Sequence, residues 1–134
     1  MPTETLDLRS STRIETIDVT SLVRAAIRKS GVDGGIAVVF CPHTTAGVTI
    51  QENSDPRVRT DLSAQLSRLV PHDGAYVNAD NNSDAHIKSS LIGASISLIV
   101  EGGKPVLGTW QAIYFCEFDG PRNRTLKIRV VPGT

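Results

Sequence analysis

Cys41-Pro42-His43-Thr44-Thr45-Ala46-Gly47-Val48-Thr49-Ile50-Gln51-Glu52-Asn53-Ser54-Asp55-Pro56 joins two strand-like runs and stops at an Asp-Pro. Before it, Ile36 to Phe40 is continuously apolar, the pattern of a strand covered on both faces. Within it, Val48, Ile50 and Glu52 share one face of an extended segment. A glutamate in that row stands at the strand's wet end or is held there for a purpose. The same stretch carries an imidazole, three threonine hydroxyls, an amide pair and two carboxylates. Unpaired polar groups are costly to bury, so this density points to a site rather than to plain core.

Outward from this stretch the chain alternates strand and helix signals. Glu4 to Ser10 and Arg13 to Val19 read as strands. Thr20 is placed to cap a helix to about Ser30, with Val19, Leu22, Val23, Ala26 and Ile27 on one stripe and Gly31 as its stop. Asp55 and Pro56 open a second helix to Val70, expected to bury Val58, Leu62, Leu66 and Leu69. Ser83 or Asp84 caps a third, Ala85 to Ile92, closed by Gly93. Ile96 to Val100, a turn over Glu101 to Lys104, and one long strand from Val106 to Phe118 form a hairpin. Leu126, Ile128 and Val130 alternate with Lys127 and Arg129 in a last strand. The class is α+β, a single domain over residues 1–134 with largely antiparallel sheets and about three helices.

A chain of 134 residues buries roughly two-thirds of its unfolded surface and needs no disulfide or metal to fold. Fourteen basic and fourteen acidic residues leave no net charge, which excludes the electrostatic footprint of a general nucleic-acid binder. Cys41 and Cys116 lie in apolar runs and read as buried thiols. With no leader pattern and no apolar run of roughly 18 residues, the expectation is a cytoplasmic protein without a membrane span.

Of three histidines, His43 stands out at a strand junction and His86 in the first turn of a helix, where free N–H groups and the positive helix end favour anions. His72 reads as a turn residue. Asp80-Asn81-Asn82-Ser83-Asp84 reads as a capped loop, lacking the glycine and closing glutamate of a calcium loop. Asp119, Arg122 and Arg124 read as a solvated connection or, with two guanidiniums, as an anion site. Trp110 is explained by core packing, or by stacking on a ligand with Gln111 as polar partner.

The string from Cys41 to Pro56 is followed in order by Tyr76-Val77-Asn78, Asp84-Ala85-His86-Ile87-Lys88-Ser89-Ser90-Leu91, Gly108-Thr109-Trp110-Gln111 and Glu117-Phe118-Asp119-Gly120-Pro121-Arg122. Together these resemble the YjbQ family over nearly the whole chain. The resemblance implies a compact α+β fold, a homotrimer, and an activity described as secondary thiamine-phosphate synthase. In that reaction a thiazole-phosphate ring nitrogen displaces pyrophosphate from an activated pyrimidine. Matched position by position, His43, Glu52 and His86 are the implied catalytic residues. Asp84, Lys88, Trp110, Gln111 and Arg122 also match the family's pattern and, with Thr44, Thr45 and Asn78, are the candidate binding residues for a small anionic or phosphorylated molecule. Lys88 is expected to face solvent in the pocket, Asp84 to cap its helix, and Glu52 to hold a histidine.

A divalent metal, magnesium or zinc, is compatible with His43 and His86. Asn78 stands where many members carry a histidine, and an amide oxygen is a poor ligand for zinc-like metals, so a three-histidine site is not expected. The alternatives are a non-catalytic phosphometabolite-binding protein, or a metal-dependent hydrolase using His43, His86 and Glu52.

Overall fold

The computed structural model describes residues 2–133. In chain order the elements are β1 (Glu4–Arg9), β2 (Glu15–Asp18), α1 (Thr20–Ser30), β3 (Gly35–Phe40), β4 (Ala46–Glu52) and α2 (Pro56–Leu69). They continue with α3 (Ser83–Ile92), β5 (Ser95–Glu101), β6 (Lys104–Pro105), β7 (Gln111–Glu117) and β8 (Asn123–Pro132). One sheet has the order β1-β8-β3-β5-β6 and the other β2-β7-β4. Every pairing is antiparallel. The fold is α+β.

Period-2 alternation decides what lies between the sheets. Ala37 and Val39 of β3, Leu126, Ile128 and Val130 of β8, Val48 of β4, and Ile113 and Phe115 of β7 join one core. Helix α1 adds Val23, Ala26 and Ile27, and Val19 before it joins them, whereas Leu22 of the expected stripe is exposed. Fully burying a residue such as Ile27 stabilises by about 1.5–3 kcal/mol. The other face of β7 presents Ala112, Tyr114 and Cys116 to Ala85 and Ile92 of α3 and Leu66 of α2. Both cysteines are buried and free, and burial, with a smaller effect from Cys41, pushes the Cys116 thiol up to about 12.

Several expectations are corrected. The segment from Val106 to Phe118 is not one strand. Gly108 donates its N–H to the Gln111 side chain at 2.7 Å while Gln111 donates its own N–H to the Gly108 carbonyl at 3.0 Å, a turn that carries the chain from one sheet to the other. Strand β3 is covered on one face only, leaving Ile36, Val38 and Phe40 exposed. Helix α2 has no fully buried residue and Leu69 is exposed; within one chain only Leu66 of the expected stripe packs against the β7 cluster.

None of Thr20, Ser83 and Asp84 is a cap, since each lies inside its helix. Asp18 accepts the Thr20 N–H at 2.9 Å, and the Thr20 hydroxyl accepts from the Ile113 N–H at 2.9 Å. Asn82 precedes α3 with no side-chain cap bond. Asp55, by contrast, accepts the Arg57 N–H as a cap should, with Pro56 in the first turn. Among the described residues no helix is long and apolar enough to cross a membrane.

Candidate functional site

Strand β7 pairs Glu117 with Ala46 and Gln111 with Glu52, so the two ends of β4 lie at opposite ends of the three-stranded sheet. The Ala46 end is built on a buried ion pair. Glu117, in the inward phase of β7, meets Arg124, in the inward phase of β8. Arg124 donates from Nε to Glu117 Oε1 at 2.8 Å and through a second guanidinium nitrogen to Oε2. The same nitrogen donates to Thr45 Oγ1 at 2.8 Å. Glu117 also accepts from the Ser10 hydroxyl at 2.6 Å and from the Phe118 and Asp119 N–H groups at 3.1 Å. Burial alone would push the Glu117 carboxyl up; the bonds from Arg124, Ser10 and Asp119 outweigh it and hold it low. Gly120 closes this corner, since a Cβ there would stand 2.3 Å from the Thr12 carbonyl oxygen.

His43 reaches the same corner from the side between the sheets. Its ring stands edge-on to Phe115, centroids 6.5 Å apart, and Nε2 accepts the Thr125 N–H at 3.0 Å. A nitrogen that accepts carries no proton, so the neutral ring is protonated on Nδ1. Burial first, and then the charge of Arg124, hold the imidazole below its ordinary pKa. In this arrangement His43 is a neutral hydrogen-bond donor through Nδ1, with its acceptor nitrogen already engaged.

Helix α3 packs against β4, and Ser89 donates its hydroxyl to the Ala46 carbonyl at 2.7 Å. His86, one turn earlier, is half-buried on this helix. Asp84 is 0% exposed and Lys88, one turn on, 1%. Lys88 donates to Asp84 Oδ2 at 2.9 Å, and Arg13 donates to Asp84 Oδ1 at 2.9 Å. The solvent-facing position expected for Lys88 is therefore corrected: its ammonium lies beneath Asp84. Burial would raise the Asp84 carboxyl; Arg13 and Lys88 together hold it low. A further chain runs from Asn78 to Asn82 at 2.9 Å, on to Asp119 at 3.1 Å, and Asp119 accepts from Arg122 at 2.9 Å. His72 stays apart from it, bonded to the Asn81 carbonyl at 3.0 Å.

The other end of β4 holds Glu52, Trp110 and Gln111 around an open cleft of about 400 Å³ with Val58 of α2. Trp110 is 62% exposed, so core packing does not explain it. The Gln111 amide oxygen is engaged in its own turn. Arg59 donates to the Tyr114 hydroxyl at 2.7 Å, which donates to the Glu52 carbonyl at 3.1 Å. Six residue steps of β4, about 20 Å, separate this group from the Ala46 end. Within one chain Glu52 neither holds a histidine nor joins His43 and His86. It stands at the strand's wet end.

The fold thus gathers His43, Thr45, Asp84, Lys88 and, through Asp119, Asn78 and Arg122 at one end, with exposed Thr44 beside them. The residues that sequence reasoning missed are Ser10, Arg13 and Glu117. Two signals were available: Glu117 interrupts an apolar row in phase with Ile113 and Phe115, and Arg124 is in phase with Leu126, Ile128 and Val130. Among the described residues no group of three or more His, Cys, Asp or Glu side chains is placed to hold a metal ion. His43 Nε2 is moreover engaged by Thr125. Within one chain, the described residues do not assemble a three-ligand zinc site.

An eight-stranded, two-sheet α+β domain locked at one corner by a buried glutamate–arginine pair defines the class of protein. The chain belongs to the family described as UPF0047 protein YjbQ-like, whose model matches residues 4–133. It is 48% identical to the UPF0047 protein MJ1081 of Methanocaldococcus jannaschii over 124 residues, 92% of this chain and 90% of that one. It is 46% identical to YugU of Bacillus subtilis over 129 residues, 96% and 98% of the two chains. A crystal structure of a YjbQ/UPF0047 protein from Clostridium acetobutylicum superposes with a TM-score of 0.94 at 50% identity, covering 96% of this chain and 99% of that one.

Proposed function

We propose that the protein binds a small phosphorylated metabolite at the start of α3 and acts on it as a thiamine-phosphate-synthase-like transferase, as a cytoplasmic homotrimer. One observation carries the reading: Asp84 is shared by two cations, Arg13 and Lys88, which leaves a surplus positive charge beside a helix start with no side-chain cap. Arg13 is 30% exposed and so can meet a ligand, while Lys88 fixes Asp84 from below. Of the neighbouring carboxylates, Asp119 is engaged by Arg122 and Glu15 by the Ser11 N–H and hydroxyl, which leaves exposed Asp80 as the one that opposes an anion. A phosphate there meets the remaining Arg13 guanidinium donors and the first N–H groups of α3, at Ser83 and Asp84, since those of Ala85 and His86 are bonded to the Asn82 carbonyl.

The transfer asks little covalent chemistry of the protein. It asks that two anionic partners be held in line and that the charge on departing pyrophosphate be stabilised. Arg13, His86 and the α3 N–H groups serve the second task, and the His43 Nδ1–H is a donor rather than a base. Magnesium would arrive with the pyrophosphate, since such ions take most of their ligands from phosphates and water.

A non-catalytic phosphometabolite-binding protein rests on the same observation, and turnover separates the two. Thiazole phosphate and the pyrimidine diphosphate should release pyrophosphate with wild-type protein, and Arg13→Gln should reduce the rate at least tenfold. Binding of phosphate, seen as a raised melting temperature without pyrophosphate release, leaves only the binding protein. No melting shift with phosphate overturns both.

The trimer is supported by the outer face of the five-stranded sheet. Ile36, Val38, Phe40, Ile99 and Val131 are exposed there, and the register sets Ile36 between Ile99 and Val131. Val38 and Phe40 continue this apolar row, bordered by Ser97 and Arg129 and by Ser95 and Lys127, and an exposed apolar row with a polar border is what an interface between copies buries.

A further inference from the structure

At the pole opposite His43, the second half of α1, the loop after it and the β5–β6 turn enclose a cleft of about 690 Å³. That volume lies in the range of small-molecule sites. Strand β3 begins at Gly35 beside this region and ends at Phe40 near His43, so the cleft is roughly 17 Å or more from the candidate site.

Three cations line it: Arg24 and Arg28 from α1 and Lys104 from β6. The two arginines are one helical turn apart, about 6 Å along the axis, on the same side of α1. None of the three has an ion pair among the described residues. In a chain of zero net charge this is a local excess rather than a generally basic surface.

Two features oppose an anion. Asp33 lines the same cleft, and α1 ends there with its negative pole, equivalent to about half a charge. Within the lining three positive charges stand against about one and a half; Glu101, the strand partner of Lys104, lies outside it and offsets part of the lysine's charge, so the two arginines carry the excess. Backbone donors add little, because the Gly31 N–H is bonded to the Arg28 carbonyl and the Gly103 N–H to the Asp33 carbonyl. Recognition falls to the side chains. Guanidinium forks match phosphate oxygens bidentately, and a ligand with charge on adjacent groups engages both arginines at once. A monoanion gains little from exposed, screened cations.

We infer that this cleft is a second binding site, for a small polyanion carrying adjacent phosphate groups. The test is a titration of the 15N-labelled protein with inorganic pyrophosphate, following backbone amides by NMR. Saturable shifts are expected at Gly31, Gly102 and Gly103. Arg24→Gln with Arg28→Gln should weaken that binding at least tenfold, and Arg13→Gln should leave it unchanged. Because both arginines are exposed, the double variant should keep the wild-type spectrum elsewhere. Shifts confined to Arg13 and α3, a double variant that binds as well as wild type, or a response that never saturates would each overturn the inference.

Discussion

Arg124, on the five-stranded sheet, grips Glu117, on the three-stranded sheet, through two guanidinium nitrogens, and the pair is almost wholly buried. It is the polar bolt between the two sheets. Glu117→Gln would leave the Arg124 guanidinium buried without a counter-charge, a change that costs about 3–5 kcal/mol. Thr45→Val, which removes one neutral partner of Arg124, should cost about 1 kcal/mol. Urea denaturation of the two variants would check the ranking, and equal losses would show that the charge is not what matters at this corner.

Asp84 and Lys88 should respond asymmetrically. Asp84→Asn strands the buried Lys88 ammonium and weakens the hold on Arg13, for a loss of about 3–5 kcal/mol. Lys88→Met leaves Asp84 paired with Arg13 and should cost clearly less. Thermal melts of both proteins decide it, and a larger loss for Lys88→Met would contradict the pairing seen here.

His43 gives stability a dependence on pH near neutrality. Its folded pKa lies below the ordinary 6.5, so between the two values the unfolded chain binds more protons. The contribution is whole above 6.5 and declines as pH falls below it towards the folded value. Unfolding free energies measured between about pH 7.5 and 5 should fall with acidity in wild type and fall less in His43→Asn. Identical slopes would mean that the imidazole titrates freely.

Gly47 is the point where β4 and the end of α3 touch. A Cβ there would stand 2.8 Å from the Gly93 carbonyl oxygen and 2.9 Å from the Ile92 Cγ2 atom. Gly47→Ala should destabilise by about 1–3 kcal/mol, as overpacking does, even though alanine is the smaller perturbation in an open strand. A neutral or stabilising effect in denaturant melts would show that α3 yields at no cost.

The outer sheet face can be tested by charge. Val38 lies at the centre of the exposed row on β3. Val38→Glu should turn the proposed trimer of 14.4 kDa chains into monomers in light scattering, with the far-UV spectrum kept. Wild-type protein that scatters as a single chain removes the trimer outright.

What could be read in the sequence was what repeats locally. The 3.6-residue stripe of α1, the Asp55-Pro56 start of α2 and the alternation of Leu126, Ile128 and Val130 report which face of an element is buried, and near neighbours alone set that. Order and motif likewise marked the His43 and Asp84 segments. Partner choice was not legible in the same way. Arg13 meets Asp84 across 71 residues and His43 meets Thr125 across 82, because loops close and strands register only in the assembled sheets. The separation of Glu52 from His43 has the same origin. Both sit in one short stretch, but an extended strand of seven residues sets them at opposite ends of the sheet. Lys88 shows the last of it: a lone lysine on a short helix reads as solvated, and only a buried carboxylate one turn away, itself held by Arg13, makes its burial tolerable.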